Sequence, residues 1–286
     1  MFEVIIPVKN RSEIEQCVRS LIPPENPDRN GIERVIICDG GSRDRDYLIV
    51  LKNLEQWEKV EIFSHPIPQF NKSRLINQGI LHSRAKYLLI SDADIIWNGV
   101  TLKDLLDRVK IQENAIAYVE NVQESDPDAE VLQRDRYTYE VQIKDRIASV
   151  KIVLEKAKNI KNRPGCGLIC TRKRTLMSLG GYKEIFQGWG WEDRDLLLRG
   201  ELLGFEICWT GTVTHLSHSD SLRDRGKQDS LIRSRNYNII ASFRSLKKSL
   251  YGNLDGCEKR TSPYQRIAIV QIPKPLLVAF RKLGLI

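Results

Sequence analysis

The chain has 286 residues, 41% hydrophobic and 29% charged, enough for one large α/β domain or two small ones with a sizeable core. No apolar run reaches the length of a spanning helix, and Met1-Phe2-Glu3-Val4-Ile5-Ile6-Pro7 carries an acid where a secretion signal has basic residues, so neither is expected. The formal charge of +8 is uneven: between Arg225 and Ile286 thirteen Lys/Arg face three Asp/Glu, which suits an anionic surface, nucleic acid or a solvated face.

Phe2 to Ile6, ended by Pro7, reads as a buried parallel strand. Ser12 and Glu15 then have capping-box spacing, and Ile14, Cys17, Val18 and Leu21 follow on one helical face. Pro23, Pro24 and Pro27 stop that helix. A second strand, Val35 to Cys38, breaks into Asp39-Gly40-Gly41-Ser42, where glycines allow a tight turn. Leu48–Leu54 reads as a helix, Val60–Phe63 as a strand, Asn71–Ser83 as a helix and Tyr87–Ile90 as a fourth strand ending in Asp92-Ala93-Asp94. Strands alternating with helices in this way predict a mostly parallel, doubly wound α/β sheet.

The second half is less regular. Residues 131–157 are charged and predict a long solvent-facing helix or an insertion. Gly165–Cys170 predicts a strand, and Thr171–Leu179 a helix closed by Gly180-Gly181. The segment 273–283 mixes Leu, Val and Phe with Lys and Arg, a combination that fits a membrane interface better than base reading. The six cysteines, Cys17, Cys38, Cys166, Cys170, Cys208 and Cys257, are scattered and predict reduced, mostly buried thiols rather than zinc ligands.

In a doubly wound sheet, ligands bind beyond the carboxyl ends of the strands. Those ends carry Lys9 and Arg11 after the first strand, Asp39 after the second, and Asp92 and Asp94 after the fourth. Cations and carboxylates on one rim fit a metal–nucleotide site, while the absence of dinucleotide and P-loop glycine patterns disfavours those chemistries. His215 and His218, three apart, offer imidazoles to the same ion and would favour Mn²⁺ over Ca²⁺. In Trp189-Gly190-Trp191-Glu192-Asp193, tryptophan faces suit a sugar ring and an Asp suits proton removal from an attacking hydroxyl. A helix start rich in acids would explain the carboxylates alone, but not two tryptophans.

With these residues in view, the chain resembles the GT-A glycosyltransferases of family 2. Its second half is similar to the galactosyltransferase-type motif shared by β-1,4-galactosyltransferases and polypeptide GalNAc-transferases. The resemblance covers residues 1 to 224: a nucleotide-sugar-binding half over 1–100, an acceptor-binding half over 101–224, then a basic, helical C-terminal extension over 225–286. It implies a Rossmann-like single catalytic domain. The donor nucleotide would meet Pro7, Lys9, Arg11, Asp39, Lys72, Arg74, Asn77 and Asp92, with Asp39 reading the uracil. Asp94, with His215, His218 or both, would hold Mn²⁺ or Mg²⁺. Trp189, Gly190, Trp191 and Glu192 would bind the acceptor and Asp193 would be the catalytic base, although Trp191 stands where the family motif has glycine. The implied reaction is an inverting transfer from a nucleotide-sugar, a UDP-sugar by expectation, to a glycan or lipid-linked acceptor. The implied setting is polysaccharide assembly in the cytoplasm, with peripheral contact between the basic tail and an anionic membrane and with no nucleic-acid partner. A nucleotidyltransferase using the same metal site, and a basic membrane- or nucleic-acid-binding protein, are the rival readings.

Overall fold

The computed structural model describes residues 1–67, 69–126, 136–155, 162–188, 190–217, 228–256, 258–271, 273 and 276–278. Strand β1 (Phe2–Val8) is buried along its whole length, as its unbroken apolar run requires of a strand covered on both faces. Val4, Ile6 and Val8 point into one core and Ile5 into the other. Helix α1 (Ile14–Leu21) buries Ile14, Cys17, Val18 and Leu21 in the first of these cores. The capping box expected at Ser12 is not formed: Glu13 is the cap without a side-chain bond, and Ser12 offers Glu15 N–H only its carbonyl. Strand β2 (Arg34–Asp39), α2 (Arg45–Leu54), β3 (Val60–Ser64), α3 (Lys72–His82) and β4 (Tyr87–Ile90) follow as the periodicity predicts. Asp44 caps α2 through Tyr47 N–H, and Asn71 caps α3 through Arg74 N–H.

After the two-residue β5 (Ile95–Ile96), α4 (Gly99–Ile111) leads into β6 (Ala115–Glu124). The helix offered for 131–157 is a correction: the described residues there form strands β7 (Arg136–Lys144) and β8 (Ile147–Glu155), paired antiparallel from Lys144↔Ile147 outward. Val150 and Ile152 of β8 and Tyr137 of β7 are buried, so the segment alternates with period 2 despite its helix-forming composition. Strand β9 (Asn162–Arg172), α5 (Lys173–Ser178), α6 (Glu192–Leu202), β10 (Glu206–His215), α7 (Gln228–Leu246) and β11 (Arg266–Gln271) complete the chain. One eight-stranded sheet has the order β3-β2-β1-β4-β9-β6-β10-β5, and β11-β8-β7 form a second. The first four strands are parallel, whereas β9 lies antiparallel between β4 and β6. The architecture is therefore mixed α/β around a large, mostly parallel sheet.

Residues beyond 224 contribute to this same body. Ile239, Ile240 and Phe243 of α7 share a core with Leu198 and Leu202 of α6 and with Val150 and Ile152 of β8. Arg199 and Asp195 of α6, both with fully buried side chains, form an ion pair with Nε to Oδ2 at 2.6 Å. Ser242 Oγ donates to the other carboxylate oxygen, and the guanidinium donates to the carbonyls of Leu179, Gly181 and Leu250. Among the described residues no helix is long and apolar enough to cross a membrane. Cys17, Cys38, Cys166 and Cys170 are free and buried, Cys208 is free and half-buried, and Cys257 lies outside the described residues.

Candidate active site

The carboxyl ends of β1, β2 and β4 form one rim with the end of β10. Asn10, at φ 51°, joins the first two loops: its side-chain oxygen accepts from the N–H groups of Arg43 and Asp44, and its own N–H donates to Ser42 Oγ. Lys9 donates to the Ile67 carbonyl, Arg11 is half-exposed and Pro7 is buried in β1. Asp39 is 4% exposed and its carboxylate is taken up locally. One oxygen accepts from Gly41 and Ser42 N–H, the other from Ser42 Oγ and Tyr47 Oη. It shapes the turn, so any contact it makes with a base needs this set to open.

Lys72, first residue of α3, is the centre of the site. Its Nζ lies 2.6 Å from Asp92 Oδ1 and 3.6 Å from Glu192 Oε1. A methyl group placed on Gly167 of β9 would lie 3.1 Å from Asp193 Oδ2, 3.4 Å from Lys72 Nζ and 3.8 Å from Asp92 Oδ2. Gly167 is thus the floor on which the three charged groups meet. The Lys72 ammonium is buried, which alone would lower its pKa, but Asp92, Glu192 and Asp193 outweigh burial and push it up. Burial, and then the Asp193 charge, push Glu192 up to about 7. A Gly167→Ala variant should fold with a thermal midpoint near wild type, because the backbone there is ordinary and the nearest atoms are side-chain ends. Its added methyl should nevertheless shift Asp193 or Lys72 and lower kcat/KM about tenfold or more, as steady-state kinetics would show.

Two polar atoms beside this cluster are buried with no hydrogen-bond partner, Ser73 Oγ and Tyr182 Oη, and Tyr182 feels the charges of Lys72, Asp193 and Glu192. Of the remaining donor-side expectations, Arg74 is exposed at the start of α3, but Asn77 is a correction. Asn77 is fully buried and clamps the Tyr182 backbone through both N–H and C=O while donating to Glu184, so it positions the loop instead of touching a ligand.

A second cluster adjoins the first. Pairing of β5 with β10 sets His215 opposite Ile95, and Leu216 N–H donates to the Asp94 carbonyl. His215 Nε2 then stands 3.4 Å from Asp94 Oδ2, while Nδ1 hydrogen-bonds Glu124 Oε2 at 2.6 Å. Glu124 is also held by Ser217 Oγ and Arg163, and burial, which would raise its pKa, is outweighed by His215 and Arg163 so that it falls to about 2. Glu124 escaped the sequence reading because it lies far along the chain and belongs to no motif.

The acceptor-side motif is arranged differently from expectation. Trp191 caps α6 in the left-handed region, φ 80°, and its ring is 4% exposed, packed against Phe243 of α7 with Nε1 unpartnered. It is a core residue here and offers no exposed face to a sugar. Gly190 and Gln187 are fixed by Asn238 of α7, which donates to both carbonyls and accepts from Gln187 N–H. Asp193 remains at the rim, in the first turn of α6, where the helix dipole favours its charge. Trp189 and His218 lie outside the described residues.

Sequence comparison now bears on this geometry. The model of glycosyl transferase family 2 matches residues 3–175, and one described as the N-terminal domain of galactosyltransferase matches residues 149–219. The chain belongs to glycosyl transferase family 2. No curated protein matches its sequence. Among solved structures it resembles the crystal structure of GalNAc-T7 with UDP, GalNAc and Mn²⁺, at 17% identity and a TM-score of 0.58 over 85% of this chain. The match spans 47% of that protein, so the likeness is one of fold.

In this family 2 chain the described residues contain no group of three or more His, Cys, Asp and Glu able to hold a metal ion. They do supply two donors of such a set, with an imidazole whose far nitrogen is engaged by a carboxylate, the usual outer-shell arrangement of a metal-binding histidine. An oxygen and an imidazole nitrogen suit Mn²⁺ better than Ca²⁺. The residues fit a divalent ion.

Glu192 gives a test that needs no ligand. Its folded pKa of about 7 lies above the ordinary 4.5, so the folded protein holds a proton that the unfolded chain has lost. That stabilisation is complete below 4.5 and is lost as pH rises through 7. Glu192→Gln removes the buried charge and should gain roughly 2–3 kcal/mol over wild type between pH 5 and pH 8. A thermal-midpoint difference that stays constant across this range would contradict the assignment.

Proposed function

We propose that this chain transfers a sugar from a UDP-sugar to a glycan hydroxyl with inversion at the anomeric carbon, with the aid of Mn²⁺ or Mg²⁺. The observation that carries the reading is the placement of two clusters on one rim: Lys72 with Asp92, Glu192 and Asp193, beside Asp94 with Glu124-oriented His215. Asp94 and His215 would hold the ion, and His218 is the further ligand the reading expects. When bound, the ion supplies positive charge against the leaving diphosphate. Lys72, already matched to Asp92, adds a second cation on the same side.

Asp193 would accept the proton of the attacking hydroxyl, a reading supported by its half-exposed position in the first turn of α6 with Oδ2 close to Gly167 and to the Lys72 cluster. Burial keeps Glu192 inclined to carry a proton near neutrality, so that its charge does not add to that of Asp193. Two carboxylates in unlike surroundings would therefore divide the work: Asp193, half-exposed, as the base, and Glu192, buried and pushed up to about 7, as its neighbour.

The test is product analysis with a panel of nucleotide-sugars and Mn²⁺. Release of UDP, with a new glycosidic bond of opposite anomeric configuration to the donor, is the expected result. Release of pyrophosphate in a parallel assay with UTP and a sugar 1-phosphate, without UDP release from the nucleotide-sugars, would replace this reading with the nucleotidyltransferase one, and a retained configuration would remove Asp193 from the base role.

A further inference from the structure

The opposite rim of the sheet, where β4, β6 and β10 begin, carries a chemistry the proposed reaction does not use. A cleft of about 790 Å³ opens there, lined by Lys86, Lys173, Arg174, Lys259 and Arg260 against only Glu113 and Glu258. Arg174 pairs with Glu113 at 2.9 Å, and Arg260 lies over the Phe205 ring while donating to Asn114. Lys86 and Lys259 are both exposed and lie over the rings of Tyr87 and Tyr251, at 5.5 and 5.2 Å. Part of the charge concentrated after residue 224 is thus folded back to join Lys86, just ahead of β4, and Lys173 and Arg174 of α5 on one face. Two large apolar side chains stand out on the same rim, at the ends of the helices that feed it: Leu81 of α3, 50% exposed, and Ile111 of α4, 86% exposed.

Cations around a cleft with projecting aliphatic side chains are the composition of a surface that meets anionic lipid. A nucleic acid fits less well, because the nearby rings of Phe205 and Tyr87 are buried beneath Arg260 and Lys86 and present no face to a base. We propose that this rim docks on an anionic phospholipid bilayer and that the catalytic rim faces away from it. Strand β10 runs from Glu206 beside the cleft to His215 in the site, ten residues, or roughly 30 Å at the usual strand rise. If the glycosyltransferase reading holds, the acceptor hydroxyl is therefore presented some way off the membrane, at the end of a glycan of several units, and not on the first sugar next to a lipid. The docking itself does not rest on that reading.

The experiment is co-sedimentation of the full chain with equimolar phosphatidylcholine–phosphatidylglycerol vesicles, with pure phosphatidylcholine as control, at low and high salt. The expected result is sedimentation with the anionic vesicles only, weakened by salt. A Lys86→Glu, Lys259→Glu double variant should bind at least roughly tenfold more weakly. Its thermal midpoint and its response to UDP with Mn²⁺ should match wild type, since both lysines are exposed, pair with no carboxylate among the described residues and stand on the rim opposite the active site. Absence of wild-type sedimentation, equal sedimentation of the variant, or preferential binding of a DNA duplex at equal phosphate concentration would each overturn the proposal. Docking without a UDP response would instead leave the membrane surface standing and count against the enzymatic reading.

Discussion

Asp193→Asn should leave the protein folded and able to bind UDP with Mn²⁺, yet lower kcat by roughly 10²–10⁴-fold, the usual contribution of a positioned general base. The substitution keeps volume and shape. Arg194 N–H, which donates to Asp193 Oδ1 at 2.7 Å, retains an acceptor in the amide oxygen. What is lost is the carboxylate oxygen beside Gly167. Binding should change little, because Lys72 keeps its closest partner in Asp92. Steady-state kinetics together with nucleotide titration separate the two effects. Wild-type kcat in the variant would remove Asp193 from the chemistry, and loss of UDP binding would make it a donor-site residue.

The largest effect on stability is expected from Arg199→Ala. The ion pair with Asp195 is completely buried, and the guanidinium also satisfies three backbone carbonyls that bind α6 to the α5 loop and to the chain after α7. Removing it leaves the buried Asp195 carboxylate with Ser242 as its remaining hydrogen-bond donor among the described residues. Breaking a buried pair in this way costs about 3–5 kcal/mol, a large part of the roughly 5–15 kcal/mol that holds a typical domain. The thermal midpoint should fall by about 10 °C. Arg199→Lys should recover only part of this, since an ammonium can meet the carboxylate but cannot span the three carbonyls. Calorimetry of both variants checks the order. Equal midpoints for wild type and Arg199→Ala would show that the pair contributes nothing net.

The first half of the fold was legible because its signals are local. The apolar run of β1, the one-sided spacing of Ile14, Cys17, Val18 and Leu21, and the carboxylates immediately after β4 each sit within a few residues of the structure they determine. The β7–β8 hairpin was misread because Lys, Glu and Arg favour helices, although Tyr137, Tyr139 and Val141 already alternate with polar neighbours at period 2. Around Asp193 the sequence shows the carboxylates of the motif but not its packing. Trp191 is buried by Phe243, and Gly190 is held by Asn238, both from a helix about fifty residues further on. No local pattern announces such contacts. For the same reason Asn77 read as a ligand-facing residue when it is a loop clamp, and Glu124 went unseen although it orients His215. Asp39 was found by position, while the turn hydrogen bonds that occupy it depend on a backbone path no residue type reveals.

The central claim is that Asp94 and His215 hold a divalent ion through which a UDP-sugar is bound. It is tested most directly by a thermal-shift titration of UDP, GDP, CMP and dTDP, each with Mn²⁺ and with EDTA, on wild type and His215→Ala. Ligand at a hundredfold above its dissociation constant stabilises the folded state by about 2.7 kcal/mol, a shift of several degrees. The account predicts that shift for wild type with UDP and Mn²⁺ together, and its loss with EDTA or in His215→Ala. An equal UDP shift in EDTA, or in the histidine variant, would contradict it.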